Sequence, residues 1–265
     1  MNEIRFPGFN LILNVPRYAF QIAGVNVYNY AVCIVIGVIV ALIFARLNKN
    51  KFEIEYDDVL ENIIYALFFG VIGARLYYVL FNLKQYIANP MEILNFRDGG
   101  LAIYGGLIFG AITLCISLKI KKINVLDFFD RIVPCVAIAQ AIGRWGNFFN
   151  VEAYGIETKS ILRMGIFKNN IYSEVHPMFL YESLLNLILF FILVKLQGKR
   201  KFKGQVLLGY LIGYSMFRMI LESFRIDSLM IFNFRISQIL SIIIFVTAIL
   251  IYFVLNNKNT KKTEN

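Results

Sequence analysis

Apolar runs long enough to cross a bilayer, separated by short polar connections, recur along the whole chain. Residues 18–45 carry no charge between Arg17 and Arg46. About 20 apolar residues match the hydrocarbon thickness, so this run predicts a first spanning helix at 27–46. Tyr28 and Tyr30 at its start suit an interfacial aromatic belt. Asp57 and Asp58 fit the cap of a second helix at 58–82, whose apolar run is broken by Arg75. A third helix opens near Gly100 in GGLAIYGGLIFG, where small residues let backbones approach closely. The fourth is expected at 127–148. His176-Pro177 starts a fifth at 177–196, because proline drives the preceding residue out of the α region and suits the first helical position. A sixth at 204–224 and a seventh at 236–257 complete the set. The pattern therefore predicts an all-α, polytopic membrane protein. Residues 1–257 form one integral domain, with an N-terminal arm at 1–26, a polar excursion at 149–175, and a polar tail at 258–265 expected to lack structure.

Composition supports the membrane assignment: 58% of residues are hydrophobic and mean hydropathy is +0.65, which excludes an ordinary water-soluble globule. The net charge of +10 suits work beside anionic head groups. Loops after helices one, three and five plus the tail hold 14 lysines and arginines, and the opposite side holds 9. The positive-inside rule then places the C-terminus in the cytoplasm and the N-terminus outside. No cleavable signal peptide is evident, so the first span is expected to act as the targeting signal. Basic residues are divided among short loops, which argues against nucleic acid. There is no Walker loop or GxSxG, so no nucleotide or serine nucleophile is indicated. One histidine and no acidic pair at ligand spacing argue against a metal. Cys33, Cys115 and Cys135 lie in apolar runs without CxxC spacing and read as small core residues.

The charged residues inside the apolar runs carry the chemistry. In GRWGNFFNVEAYG, residues 143–155, Arg144 arrives after an uncharged run beginning at Ile132 that is too short to cross. An arginine at such depth costs about 2.5–3.5 kcal/mol, so it must face a partner, a cavity or a ligand. Arg218, Glu222 and Arg225 recur at helical spacing on one face of helix six. They read either as an internal ion pair or as a carboxylate positioning a guanidinium whose fork takes a phosphate oxygen. Arg225 also suits snorkelling. Arg75 reads equally as a structural anchor on a carbonyl or Glu152, or as a substrate contact. Asn147 and Asn150 fit capping of helix four somewhat better than chemistry. His176 fits hydrogen bonding better than base catalysis. The expected topology brings Arg144, Asn147, Glu152, His176, Arg218, Glu222 and Arg225 to one outer membrane level, with Tyr30 and Tyr104 beside them. A small anion or lipid transporter using these arginines lacks matching broken helices in two halves, and a purely structural scaffold leaves the buried arginines unexplained.

GRWGNFFNVEAYG, HPMFLYESLLN, GGLAIYGG and FRMILESFR occur in an arrangement that resembles the bacterial prolipoprotein diacylglyceryl transferases over roughly residues 25–255. The resemblance implies seven spans in the cytoplasmic membrane, with the N-terminus outside. It implies transfer of the diacylglyceryl group of phosphatidylglycerol to the lipobox cysteine of a prolipoprotein, giving a thioether and glycerol phosphate, without cofactor, metal or nucleotide. Arg144 takes the place of the arginine that binds phosphatidylglycerol, and Asn147, Glu152 and Gly155 are the other signature positions. Arg218, Glu222 and Arg225 match the helix-six arginine, glutamate and second arginine; Tyr30 matches the first-helix tyrosine, and His176 the HP histidine. Tyr104 stands where the best-known members have histidine, so no histidine base is available there. The candidate catalytic set is Arg144, Arg218, Glu222 and Tyr104. The candidate substrate-binding set is Arg144, Asn147, Glu152, Gly155, Tyr30, Arg75, His176 and Arg225.

Overall fold

The computed structural model describes residues 2–22, 24–48, 54–95, 99–168, 171–226, 228, 230–232 and 234–264. Lys49, Lys51 and Arg97, which enter the loop-charge count, lie outside them. Among the described residues the helices are Asn29–Leu47 (α1), Tyr56–Phe81 (α2), the short Leu83–Ala88 (α3), Ile103–Ile120 (α4), Val125–Asn150 (α5), Met178–Gly198 (α6), Gln205–Leu221 (α7) and Ile236–Glu264 (α8). Six of them, all except α3 and α5, are long and apolar enough to cross a membrane. The second half of α5 is diluted by Gln140, Arg144 and Asn147. The last helix runs on to Glu264, where the polar sequence suggested an unstructured tail.

The chain is mostly helical but not all-α. Asn2–Phe6 (β1), Leu11–Val15 (β2), Met164–Lys168 (β5) and Ile171–Val175 (β6) form an antiparallel sheet in the order β2-β1-β5-β6. Tyr18–Ile22 (β3) and Val25–Tyr28 (β4) make a hairpin leading into α1, and Met230–Ile231 (β7) pairs with Phe234–Arg235 (β8). Strands of two to five residues alternate too briefly to stand out in a hydropathy pattern. Tertiary partners hold them. Ile4 pairs in register with Ile166, and both are buried in a cluster with Val15, Phe148, Met164, Val175 and Phe179. The N-terminal arm and the excursion after α5 are therefore one sheet.

Two compact units emerge, Met1–Leu47 with Phe129–Asn265, and Asn48–Phe128. In the first, Gly37 of α1 lies against α5 so closely that a Cβ would sit 2.9 Å from the Ala139 carbonyl oxygen. Val133, Ala137, Leu189, Leu193 and Val206 knit α5, α6 and α7 together. Asp130 caps the start of α7, accepting from the Gly204 and Leu207 amides at 2.7 and 2.8 Å and pairing with Arg200 at 2.7 Å. Cys33 and Cys135 are buried as expected of small core residues, whereas Cys115, in the second unit, is exposed.

The second unit is built on α2 against α4, and the small residues do what their pattern suggested. A Cβ on Gly105 would come within 3.0 Å of the Ala74 Cα, and one on Gly70 within 3.3 Å of the Gly106 carbonyl. The fourth helix in chain order starts at Ile103 and not at Gly100, because Gly99 and Gly100 hold left-handed φ values of 84° and 73°. Asp57 and Asp58 fall in the first turn of α2, with Glu55 at the cap position. Asp58 and Glu61 instead clamp Lys121 at 2.6 and 2.5 Å, tying the ends of α2 and α4. These acids hold the Lys121 ammonium pKa well above its ordinary value, chiefly through the hydrogen bond that Lys121 donates to Asp58.

Candidate active site

Glu182, in the second turn of α6, is the hub of the first unit's charged cluster. Its side chain is 6% exposed, and a carboxylate desolvated to that degree needs opposite charge and donors. Three guanidinium groups answer it. Arg144 Nη2 of α5 is 2.7 Å from Oε2, while Arg218 Nη1 of α7 and Arg225 Nη1 are 3.5 and 3.7 Å from Oε1. Arg218 Nη2 also pairs with Glu222 at 2.7 Å, so this glutamate does hold Arg218 in place. The Arg235 guanidinium donates to the Glu222 carbonyl. Among the described residues, Arg144, Arg218 and Arg225 thus face the two carboxylates Glu182 and Glu222. Beside the cluster lies a narrow cleft of about 10 Å³, with Glu182, Asn186, Tyr214 and Arg218 among its lining residues. The Asn186 Oδ1 there is buried without a donor.

Arg225 corrects the helical-face reading. The helix ends at Leu221, Glu222–Phe224 form a 3-10 turn, and Arg225 is extended. Its backbone bridges Gly155, yet its side chain returns to Glu182 instead of reaching for the interface. The Gly155 amide donates to the His176 carbonyl at 3.0 Å, and the Ile156 amide to the Phe224 carbonyl at 2.8 Å. Gly155 is thus the centre of a three-segment ladder. Any Cβ there would lie 2.8 Å from the His176 Cβ and 3.0 Å from the Phe224 carbonyl oxygen, which is why only glycine fits.

Asn147 and Asn150, at the end of α5, direct their side-chain amides to Glu152. The Asn147 amide donates to Glu152 Oε1 at 2.9 Å, and the Asn150 amide approaches the same oxygen at 3.4 Å. Arg144 Nη1 is 3.5 Å from the Asn147 Oδ1, so a chain Arg144–Asn147–Glu152 extends the cluster into the loop after α5. Glu152 is flanked by Val151 and Ala153 at φ 52° and 54°, strain of a kind that concentrates at functional loops. No guanidinium pairs with Glu152 among the described residues. His176 Nδ1 lies 3.2 Å from the Tyr181 hydroxyl, and its ring meets Phe224 edge-on. Partial burial holds its pKa below the usual imidazole value, favouring the neutral ring. Tyr30 of α1 packs on Gly146, where a Cβ would lie 2.7 Å from its ring.

Arg75 and Tyr104 belong to the second unit. Arg75 is 4% exposed. It donates to the carbonyls of Ile93, Gly99, Gly100 and Glu92 at 2.5–3.0 Å, with its guanidinium over the Tyr86 ring. These are contacts of the kind expected of a structural anchor on carbonyls. Tyr104 is half exposed in the first turn of α4. Sequence reasoning passed over Glu182 and Asn186. A signal existed, since Glu182 is the one acid in the apolar run 178–198.

Comparison with known proteins gives a single family. A family model described as prolipoprotein diacylglyceryl transferase matches residues 17–254. The protein called phosphatidylglycerol--prolipoprotein diacylglyceryl transferase of Clostridium novyi (strain NT) is 40% identical over 247 residues, covering 91% of this chain and 96% of the relative. The proteins of the same name from Enterococcus faecalis (strain ATCC 700802 / V583) and Streptococcus pneumoniae serotype 4 (strain ATCC BAA-334 / TIGR4) are each 42% identical, covering 92% and 91% of this chain and 92% and 94% of their own lengths.

Proposed function

The chain belongs to the prolipoprotein diacylglyceryl transferase family, and on that premise we propose that the arginine cluster around Glu182 is where its reaction takes place. The protein transfers the diacylglyceryl group of phosphatidylglycerol to the lipobox cysteine of a prolipoprotein. The thiol sulfur attacks the glyceryl carbon that carries the phosphate ester. A carbon–sulfur bond forms, the carbon–oxygen bond breaks, and the electron pair leaves on glycerol phosphate.

Arg144 and Arg218 hold the lipid phosphate through donors that Glu182 and Glu222 do not use. They stabilise charge as it develops on the leaving oxygen, the electrostatic contribution that commonly dominates. The same cations raise the thiolate fraction of a cysteine whose free pKa is about 8.5. Glu182 and Glu222 are committed to arginines, whereas among the described residues Glu152 receives only asparagine amides. Glu152 is therefore the carboxylate fitted to take the thiol proton, with Asn147 holding it. Tyr30 and Gly155 shape the site, and His176 with Arg225 buttresses it. The single observation that carries this reading is the convergence of three guanidinium groups from separate segments on one buried carboxylate.

Seven spans, an outer N-terminus and residence in the bacterial cytoplasmic membrane follow in the same reading. β1 and β5 share a sheet, so the arm before α1 and the loop after α5 lie on one side. An even number of crossings must separate them. With α1, α2 and α4 crossing, α5 is the fourth. Nothing observed favours the transporter alternative. Incubating purified protein with phosphatidylglycerol and a lipobox peptide should yield thioether-modified peptide and glycerol phosphate. Arg144→Ala and Arg218→Ala should insert normally and transfer nothing; activity in either would refute the clamp.

A further inference from the structure

A cavity of about 500 Å³ opens in the first unit at the loop that carries Glu152. Its size falls within the roughly 300–1,000 Å³ of small-molecule sites. Part of the wall is the strained loop, with Asn150, Glu152 and Tyr154, and another part is the end of β5, with Lys168; Arg17 completes the rim. Of these residues Glu152 is joined to the arginine cluster around Glu182, through Asn147 and Arg144.

The lining is chemically divided. Lys168 lies over the Tyr154 ring and Arg17 over Tyr28, and among the described residues neither has a carboxylate partner. At the other end are acceptors: the Glu152 carboxylate, and the Asn150 Oδ1, which is buried and receives no hydrogen bond. Cations suit a phosphate, and unfilled acceptors suit hydroxyl groups, which must donate. The Glu152 charge repels a phosphate from its own end and so fixes the direction in which a molecule carrying both would lie.

We infer that this cavity binds the glycerol phosphate moiety, phosphate toward Arg17 and Lys168 and hydroxyls toward Asn150 and Glu152. The inference rests on the proposed reaction, which generates that group at Arg144, linked to Glu152 through Asn147. The same chemistry arises from two sources, the free product on its way out or the headgroup still attached to lipid.

Equilibrium dialysis of the purified full-length protein against labelled sn-glycerol 1-phosphate tests it without relying on turnover. Binding should resist competition by glycerol or inorganic phosphate at matched concentration. It should weaken about tenfold in Arg17→Ala and in Lys168→Ala, the scale expected for one charge-assisted hydrogen bond. Lys168→Arg should restore it. Lys168→Ala serves on its own if Arg17→Ala, whose backbone carbonyl accepts from the Asn29 amide, fails to fold. An unchanged KM for phosphatidylglycerol in Lys168→Ala assigns the cavity to free product, and a raised KM assigns it to the lipid headgroup. No saturable binding, equal displacement by inorganic phosphate, or wild-type affinity in Lys168→Ala would overturn the inference. Absence of transfer in the wild-type protein would instead overturn the reaction it rests on.

Discussion

Glu182 is the residue on which the others turn, since Arg144, Arg218 and Arg225 would repel one another without it. Removing one partner of a buried ion pair costs about 3–5 kcal/mol. Glu182→Gln should therefore lower both the thermal midpoint in detergent and the transfer rate, the latter by at least about a hundredfold at that energy. Glu182→Asp should recover part of each. A Glu182→Gln protein that is as stable and active as wild type would remove the hub from the account. His176 gives a prediction of defined sign. Its folded pKa lies below the unfolded imidazole value of about 6.5, so as pH falls through that value the unfolded chain takes up the proton first. The contribution is present above pH 6.5 and is lost between there and the lower folded pKa. Thermal midpoints between pH 5 and 7.5 should fall more steeply on acidification in wild type than in His176→Asn. The arginines were legible in the sequence because each interrupts an apolar run. Glu182 was not, because a single acid near the start of a helix also reads as a surface residue, and only the fold shows three guanidinium groups around it.

Among elements, helices were legible and strands were not, for one physical reason. A spanning helix must bury some twenty consecutive residues in hydrocarbon, so its pattern is long. A five-residue strand is held by its partner, and Ile4 in β1 finds that partner 162 residues away at Ile166. The pattern placed α1 within two residues of its observed ends and α6 within two, yet it missed the whole four-stranded sheet. The α2–α4 pair makes a prediction at this scale. Gly105→Leu introduces a side chain where a Cβ alone would already crowd Ala74. Overpacking costs about 1–3 kcal/mol. The thermal midpoint should drop accordingly, while Gly143→Leu, where a Cβ meets nothing within 4 Å, should leave it nearly unchanged. Equal effects would show that close approach is not what those glycines provide.

For the whole molecule, the sheet imposes a parity condition that hydropathy alone does not. Counting only the six helices that are apolar enough puts three crossings between β1 and β5. That would strand the two partners on opposite faces of the bilayer, where Ile4 and Ile166 could not pair. Treating α5 as a crossing resolves the conflict. Its polar second half then has a purpose, since Arg144 pairs with Glu182 and Asn147 with Glu152. The same count returns Arg225 to the face that carries Gly155, as their bridge requires, after α6 and α7. Single cysteines introduced in a Cys33, Cys115 and Cys135-free background test the whole scheme with a membrane-impermeant thiol reagent on intact cells. Asn10→Cys and Thr158→Cys should both label from outside, and Lys199→Cys and Lys258→Cys only after permeabilisation. Opposite behaviour of Asn10→Cys and Thr158→Cys would break the sheet-based parity. All four labels reversed would keep the parity and overturn the orientation drawn from loop charge.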